Sequence, residues 1–434
     1  MKDLLYTIPI DRLKDAVSTR QNKVNRRNAL HYCAPSGGTW GVVRVACLVP
    51  EVIVLFVLPI GCGRHGGIAA FNTEINHKIR YLLVEEVDIV MGTHLDKIQE
   101  AIACLVSEEH PKGLILFSTC MDDLLGSDYN SIIQAASAQF KIPIHQGKMN
   151  PIMSDTKKPP ELMIQKTIYS FLESSSKKSH KINVIGSFSN IDPESEIHTL
   201  IKQAGDFNLQ HISDCQSFLH FKDMENSILN LLVKPLGMAA VKAMHKMNQQ
   251  PYVEALSSFT LEEIEKSYTV LSQALECSLD ISHYKAYRKA FLEKHRQALQ
   301  GMRVALGATI NARTFELARF LVEQGMQVEY IIAKSLLEAD EVHLQWLVEH
   351  SPDTKIIPDL DPSLSALSEK LLSVDLCIGL DAAVYFDCTY LIELPFDETL
   401  FGFKGAEKLI ERIINAVPFQ NDLYQRIYNA NLVV

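Results

Sequence analysis

Three cysteines stand in turns and not in apolar runs. Cys33 opens Cys33-Ala-Pro-Ser-Gly-Gly38, Cys62 lies in Pro59-Ile-Gly-Cys62-Gly-Arg-His-Gly-Gly67, and Cys120 lies in Phe117-Ser-Thr-Cys120-Met-Asp-Asp123. Each follows, or begins just beyond, an expected strand or turn and precedes an expected helix. That puts sulfur at the carboxyl edge of a sheet, where open α/β folds carry their sites. A helix N-terminus there, and a positive charge such as Arg64, favour the thiolate, the form that binds metal. Glycines on both sides of Cys62 let backbone N–H groups come close to sulfur, and such bonds tune iron–sulfur potentials. One cysteine at a strand end is more often a small buried hydrophobe. Three in one lobe, within such turns, form a candidate metal or cluster set. The other six (Cys47, Cys104, Cys215, Cys277, Cys377 and Cys388) sit in apolar or helical patterns and read as core packing.

Other motifs carry less. Gly61-x-Gly63-x-x-Gly66 fits the dinucleotide pattern after an apolar run, with Glu85 and Glu86 standing where a ribose-binding acid would. Pro59 and Cys62 are unusual in such a turn, and three glycines also make an ordinary tight turn. There is no G-x-x-x-x-G-K-[ST], C-x-x-C, H-E-x-x-H or G-x-S-x-G, so a P-loop cradle for ATP phosphates is not expected. Asp359-Leu-Asp361 lacks the glycine and third acid of a calcium loop. His65, three residues after Cys62, is a candidate proton or hydrogen-bond donor, set against a plain turn histidine. Lys234 is a candidate for meeting an acidic substrate, set against a strand-end lysine reaching solvent. Asp122 and Asp123 read as the start or cap of the next helix.

The elements that must position these residues alternate strand and helix. Apolar β-rich runs recur at Val52–Ile60, Gly113–Phe117, Lys181–Ile185, Ile228–Val233, Met302–Leu306, Val328–Ile332, Asp375–Ile378 and Tyr390–Leu394. Helical patterns separate them at Leu95–Val106, Ile132–Phe140, Thr314–Gln324 and Ala406–Val417, with a long polar helix near Ile281–Leu299. The pattern predicts an α/β fold of three Rossmann-like lobes, each a mostly parallel sheet flanked by helices. Their expected spans are 1–160, which carries the cysteine set, then 161–300 and 301–434. The chain's 434 residues agree with about three domains. At 47% apolar and 22% charged it has the balance of an ordinary globular protein. A net charge of −10 argues against a nucleic-acid footprint, which needs a basic face. Nine cysteines are too few for a disulfide scaffold and too odd to pair. Met1–Arg27 mixes charges without an apolar core, so no secretory signal is expected, and no apolar stretch is long enough to cross a bilayer. The expected setting is reducing and cytoplasmic.

Across 33–133 the sequence resembles the nitrogenase component 1 superfamily. That family includes the paired nitrogenase subunits, the cofactor-assembly scaffold and the light-independent protochlorophyllide and chlorophyllide reductases. The matching pieces are Cys33-x-x-x-Gly-Gly, Pro59-Ile-Gly-Cys62-Gly, Glu86-Val-Asp-Ile-Val-Met-Gly92 with Lys97 and Ala101, and Ser118-Thr-Cys120 followed by Leu124-Leu-Gly-Ser-Asp128. Weaker agreement continues at Asn230-Leu-Leu-Val233, Gln250-Pro-Tyr252 and Phe401-Gly-Phe-Lys-Gly-Ala406.

The resemblance implies that Cys33, Cys62 and Cys120 bind an iron–sulfur cluster at a subunit interface, with the cluster and cavity between lobes. A four-iron cubane wants four protein ligands and this chain offers three. A partner chain, a related component-1-type chain or a second copy, would complete a 4Fe–4S cluster or a larger eight-iron cluster of the P type. Electrons would come singly from a separate homodimeric iron protein that hydrolyses ATP, and would pass to a substrate or metal centre. Lys234-Pro235 stands where the cysteine ligand of the iron–molybdenum cofactor would be, and Phe401 where its histidine would be. Dinitrogen reduction by this chain itself is therefore not expected. The same residues suit an assembly scaffold or a tetrapyrrole-type reductase subunit.

Overall fold

The computed structural model describes residues 5–18, 23–24, 30, 41–63, 75–149, 159–367, 372–420 and 422–429. Among them fourteen strands form three sheets. Strand β1 (Ile8–Pro9) is a two-residue edge, paired antiparallel with Lys355 and Ile356. Strands β2 (Val52–Leu58), β3 (Ile79–Leu83), β4 (Gly113–Thr119) and β5 (Ile144–Met149) make a four-stranded sheet in the order β3-β2-β4-β5. Strands β6 (Ser179–Ile185), β7 (Asn208–Gln210), β8 (Ser227–Leu232) and β9 (Tyr252–Glu254) make a second sheet in the order β7-β6-β8-β9. Strands β10 (Arg303–Leu306), β11 (Gln327–Ala333), β12 (Lys355–Pro358), β13 (Leu372–Ile378) and β14 (Phe386–Ile392) build the third, ordered β1-β12-β11-β10-β13-β14. Apart from β1 every pairing is parallel, as the uniformly apolar runs predict.

The residues group into two compact units. One comprises Thr39–Asn190 with Phe207–Glu254 and holds the first two sheets; the other includes Ile191–Asp206 and Ala255–Val433 and holds the third.

The first sheet positions the cysteines, and its centre is built from sequence alone. Every residue of β2 (Val-Ile-Val-Leu-Phe-Val-Leu) and of β4 is buried, at about 1.5–3 kcal/mol for each large apolar side chain. On one face Ile53, Leu55, Val57, Leu114 and Leu116 pack against Ile98, Ile102 and Leu105 of helix His94–Glu109. The same core takes Tyr129, Ile132 and Ala136 of helix Tyr129–Phe140. The first helix shows the four-then-three spacing of a core-facing stripe and the second the three-then-four. On the sheet, Phe56 stacks on Phe117 at 4.7 Å between ring centroids. The Phe117 ring lies against Gly147, where a Cβ would come within 2.7 Å of it. The polar helix of the sequence reading is Ser282–Leu299, with only Arg288 and Leu299 buried.

Candidate functional site

Strands β2 and β4 are neighbours in parallel register, with Phe56 opposite Phe117. Their carboxyl ends therefore emerge side by side. The chain order reverses between them, which is where open sheets leave a crevice. Pro59 ends β2, and residues 60–63 turn once as a helix carrying Cys62, with Gly63 N–H donating to the Pro59 carbonyl at 3.2 Å. A Cβ on Gly63 would sit 2.9 Å from Leu58 Cδ1, so the residue after Cys62 has to be small or Leu58 has to move. Cys120 is the first residue of helix Cys120–Leu125, directly after β4.

Buried groups set the Cys120 turn. The Thr119 amide donates to Asp122 Oδ2 at 2.8 Å, and the Thr119 hydroxyl lies 3.4 Å from the same oxygen. The other oxygen, Oδ1, accepts from the Tyr129 hydroxyl at 2.6 Å. Burial, and then the Asp122 charge, hold the Tyr129 phenol well above its ordinary pKa, so it remains a donor at any working pH. Lys148 pairs with Asp123 at 2.6 Å. Gly126 closes the helix at φ +68, the left-handed conformation glycine adopts without strain. Asp122 thus caps the helix, as read from sequence.

Accessibility separates the cysteines. Cys62 is exposed and Cys120 half-buried, both as free thiols. Cys47, Cys215 and Cys377 are buried. Burial pushes the Cys47 thiol up to about 12 against the opposing pull of Lys78, and the Cys215 thiol up to about 11. These groups are held protonated and do not suit metal. Cys277 and Cys388 are half-buried. Cys104 departs from the core reading: it is exposed, because Ile98, Ile102 and Leu105 turn inward and leave it on the outer face. A hydrogen bond to the Glu108 carboxylate, first of several causes, raises its thiol. Cys33, Arg64 and His65 lie outside the described residues. Lys234 stands at the end of β8, a different sheet edge, at the start of the Pro235–Gly237 turn. Among the described residues no three His, Cys, Asp or Glu side chains converge as a metal site. Cys62 and Cys120, accessible free thiols at neighbouring strand ends of one sheet, have the chemistry that two ligands of a thiolate-bound cluster need.

The sequence reading missed an apolar rim at this edge. Ile60 follows β2, Val87, Val90 and Met91 follow β3, and Leu124 and Leu125 follow β4, all on short helical segments and all exposed. Val90 is 82% and Leu124 76% exposed. Apolar side chains gathered this way mark a contact surface. The signal available in sequence was Glu86-Val-Asp-Ile-Val-Met91, a six-residue helix too apolar for one buried face.

The family model for nitrogenase component 1 type oxidoreductases matches residues 33–418, from Cys33 onward. The chain belongs to this family. Relatives include the nitrogenase iron-molybdenum cofactor biosynthesis protein NifE of Rhodobacter capsulatus, 22% identical over 72% of this chain and 70% of that protein. NifE of Methanosarcina barkeri is 23% identical over 72% of each chain. Among solved structures, nitrogenase Cp1 at pH 6.5 superposes with a TM-score of 0.71 at 19% identity, covering 93% of this chain and 96% of that one. The same protein at pH 5 gives 0.60 at 15%, covering 91% and 92%. These structural likenesses establish the fold. Membership of the component 1 family implies iron–sulfur or metallocluster binding.

Elsewhere this component 1 chain fills its sheet crevices with its own groups. Between β6 and β8, Gly186 (φ +102) approaches Gly237 so closely that a Cβ would lie 2.7 Å from the Lys234 carbonyl. Between β10 and β13 the buried Asp381 carboxylate accepts from the Ala308 amide and the Thr309 hydroxyl, both at 2.6 Å. Phe401 is buried and precedes helix Gly402–Ile414. The first amides of that helix are taken by Glu196, from Phe403 at 2.6 Å and Lys404 at 3.0 Å. At Phe401, where the resemblance would put a cofactor histidine, the chain has an apolar ring and a helix already capped. No helix among the described residues is long and apolar enough to cross a membrane.

Proposed function

We propose that this chain is the iron–sulfur subunit of a nitrogenase-like, ATP-dependent reductase. Cys33, Cys62 and Cys120 are its cluster ligands, and a related chain or a second copy completes the set. When bound, such a cluster supplies one-electron chemistry. The chain's own residues hold the ligands. The Thr119–Asp122–Tyr129 bonds fix the turn that presents Cys120, the Gly63 N–H bond to the Pro59 carbonyl closes the turn that presents Cys62, and the rim around Val90 and Leu124 excludes water once a partner covers it. The electron donor in this reading is a separate homodimeric iron protein, because this chain has no P-loop of its own. The cytoplasm is its compartment, because accessible thiols persist in reducing surroundings. The observation that carries the reading is the placement of two accessible thiols at the ends of β2 and β4.

A second reading, an assembly scaffold for a metallocluster, is supported by the relatives, which are iron–molybdenum cofactor biosynthesis proteins. It uses the same cysteines. Anaerobically purified protein is expected to carry iron with a paramagnetic signal, lost in Cys62→Ala. Full iron content in that variant rejects the cluster assignment. Steady-state substrate turnover with an iron protein then favours the reductase, and stoichiometric transfer of the cluster to an acceptor protein favours the scaffold.

A further inference from the structure

The crevice of the third sheet contains the parts of an anion site. Chain order reverses between β10 and β13, which lie side by side in parallel register with Leu306 opposite Ile378. Open sheets bind ligands at such reversals. Gly307 follows β10 directly and Gly379 follows β13. After Gly307, Ala308 and Thr309 aim successive backbone amides at one acceptor, the arrangement that cradles phosphates and carboxylates. What they hold is a side chain of the same protein. Asp381 Oδ2 accepts from the Ala308 amide at 2.6 Å. Its Oδ1 accepts from the Thr309 hydroxyl at 2.6 Å and lies 3.4 Å from the Thr309 amide. The carboxylate is buried, and each of these donors is uncharged.

Two observations set this apart from an ordinary helix cap. Asp381 lies in the first turn of helix Leu380–Tyr385, where a capping acid takes amides of its own helix. It takes one such amide, from Ala382, and reaches for the rest to donors 73 and 72 residues earlier in the chain. The walls are also shaped to its oxygens. A Cβ on Gly307 would overlap Asp381 Oδ1. One on Gly379, already at φ +103, would lie 2.9 Å from the same oxygen and 2.9 Å from Ile310 Cγ2. Side chains at these two positions would collide with the carboxylate. Burial raises the Asp381 carboxyl above its ordinary range, and the Thr309, Ala308 and Ala382 hydrogen bonds oppose the rise. The donors thus offset the loss of water around the charge.

We propose that Asp381 is a built-in ligand: the third sheet keeps a binding site for a small carboxylate, and the chain's own carboxylate fills it. In the wild-type chain the site is closed to oxyanions from solution. Once the side chain is removed, the same amides and hydroxyl take a free carboxylate of the same size. Formate is the probe, because it is that carboxylate with nothing else attached. The outcome does not depend on whether Cys33, Cys62 and Cys120 hold a cluster, since those residues are outside the third sheet.

The test is urea unfolding of the full chain at neutral pH in sodium formate and, at equal ionic strength, in sodium chloride. Tryptophan fluorescence follows it, since Trp346 belongs to the same unit as the sheet. Asp381→Gly leaves buried donors without an acceptor and should raise the unfolding constant at least about tenfold in chloride. Formate at about 0.2 M should recover about fivefold of that loss, as expected of a site with an affinity of about 50 mM. Wild type should show no such gain, because its site is filled, and neither should Asp381→Asn, whose amide occupies the same space. Adding Thr309→Val to Asp381→Gly should remove most of the formate gain. The proposal is overturned by an Asp381→Gly chain as stable as wild type, by one that responds to formate no more than wild type does, or by a gain that survives Thr309→Val. If Asp381→Gly does not fold in chloride, refolding yields decide. Recovery in formate alone supports the site, and no recovery in either salt overturns it.

Discussion

The hydroxyl of Tyr129 lies 2.6 Å from Asp122 Oδ1, and the same carboxylate holds the turn that presents Cys120 through its other oxygen. Both side chains are buried. Tyr129→Phe keeps the ring and removes the donor, leaving a buried carboxylate oxygen unpaired. That change should cost about 1–3 kcal/mol of folding stability and lower iron occupancy without abolishing it. Denaturant unfolding and iron analysis measure the two. A variant as stable as wild type means the bond does not fix the turn.

Thiol reactivity should rank the cysteines by exposure. In metal-free native protein, alkylation should reach Cys62 first and Cys120 next, while Cys47, Cys215 and Cys377 stay protected until unfolding. Cys104 is also open, but slower than its exposure suggests, because the Glu108 carboxylate disfavours its thiolate. Loading iron should protect Cys62 and Cys120 and leave Cys104 unchanged, and a chelator should reverse this. Peptide mass spectrometry reads each site. Protection of Cys104, or none at Cys62, breaks the ligand assignment.

What sequence could show depended on whether a segment is buried on both faces. Strands β2 and β4 are buried throughout, so their apolar runs were legible, and with them the edge that carries Cys62 and Cys120. Strands β3 and β5 were not. Ile79-Arg-Tyr-Leu-Leu83 mixes buried and exposed positions at a sheet edge, and β5 carries His145, Gln146 and Lys148. β7 and β9 are three residues each, too short for a period. β14 begins at Phe386, four residues before the expected Tyr390, because Asp387 and an exposed-facing stretch break the apolar run. At the site, the turn compositions pointed to the cysteines. The apolar rim arises only when three strand ends come together in space, and the Asp122–Tyr129 bond depends on how two consecutive helices fold back on each other, which spacing alone does not specify. Cys104 shows the converse: its helix was read correctly, and its face was not.

Charging the rim should separate folding from association. Val90 and Leu124 are exposed, so Val90→Asp and Leu124→Asp should change unfolding free energy by no more than about 0.5 kcal/mol. If a partner covers this edge, the same changes should weaken association by at least about tenfold. Sedimentation velocity on the wild-type chain, alone and co-expressed with a related component-1-type chain, gives the reference. Variants that assemble like wild type place the interface elsewhere.

The second sheet should lose stability in mild acid through His211. The ring is buried at the end of β7, with Nδ1 accepting from the Ser213 amide at 3.1 Å and Nε2 3.2 Å from the Ser187 carbonyl. This pattern requires the neutral ring protonated at Nε2, since a proton on Nδ1 would oppose the Ser213 N–H. Burial pulls His211 down to about 4, with Asp214 and the Ser187 carbonyl resisting. The folded state thus binds the proton less readily than the unfolded chain. The stabilisation is complete above about pH 6.5 and disappears as pH falls toward 4, amounting to about 3 kcal/mol over that range. His211→Gln cannot titrate there. Its unfolding free energy, plotted as a difference from wild type, should rise relative to wild type as pH drops from 6.5 to 4. A difference that stays flat would mean that His211 titrates alike in the folded and unfolded chain.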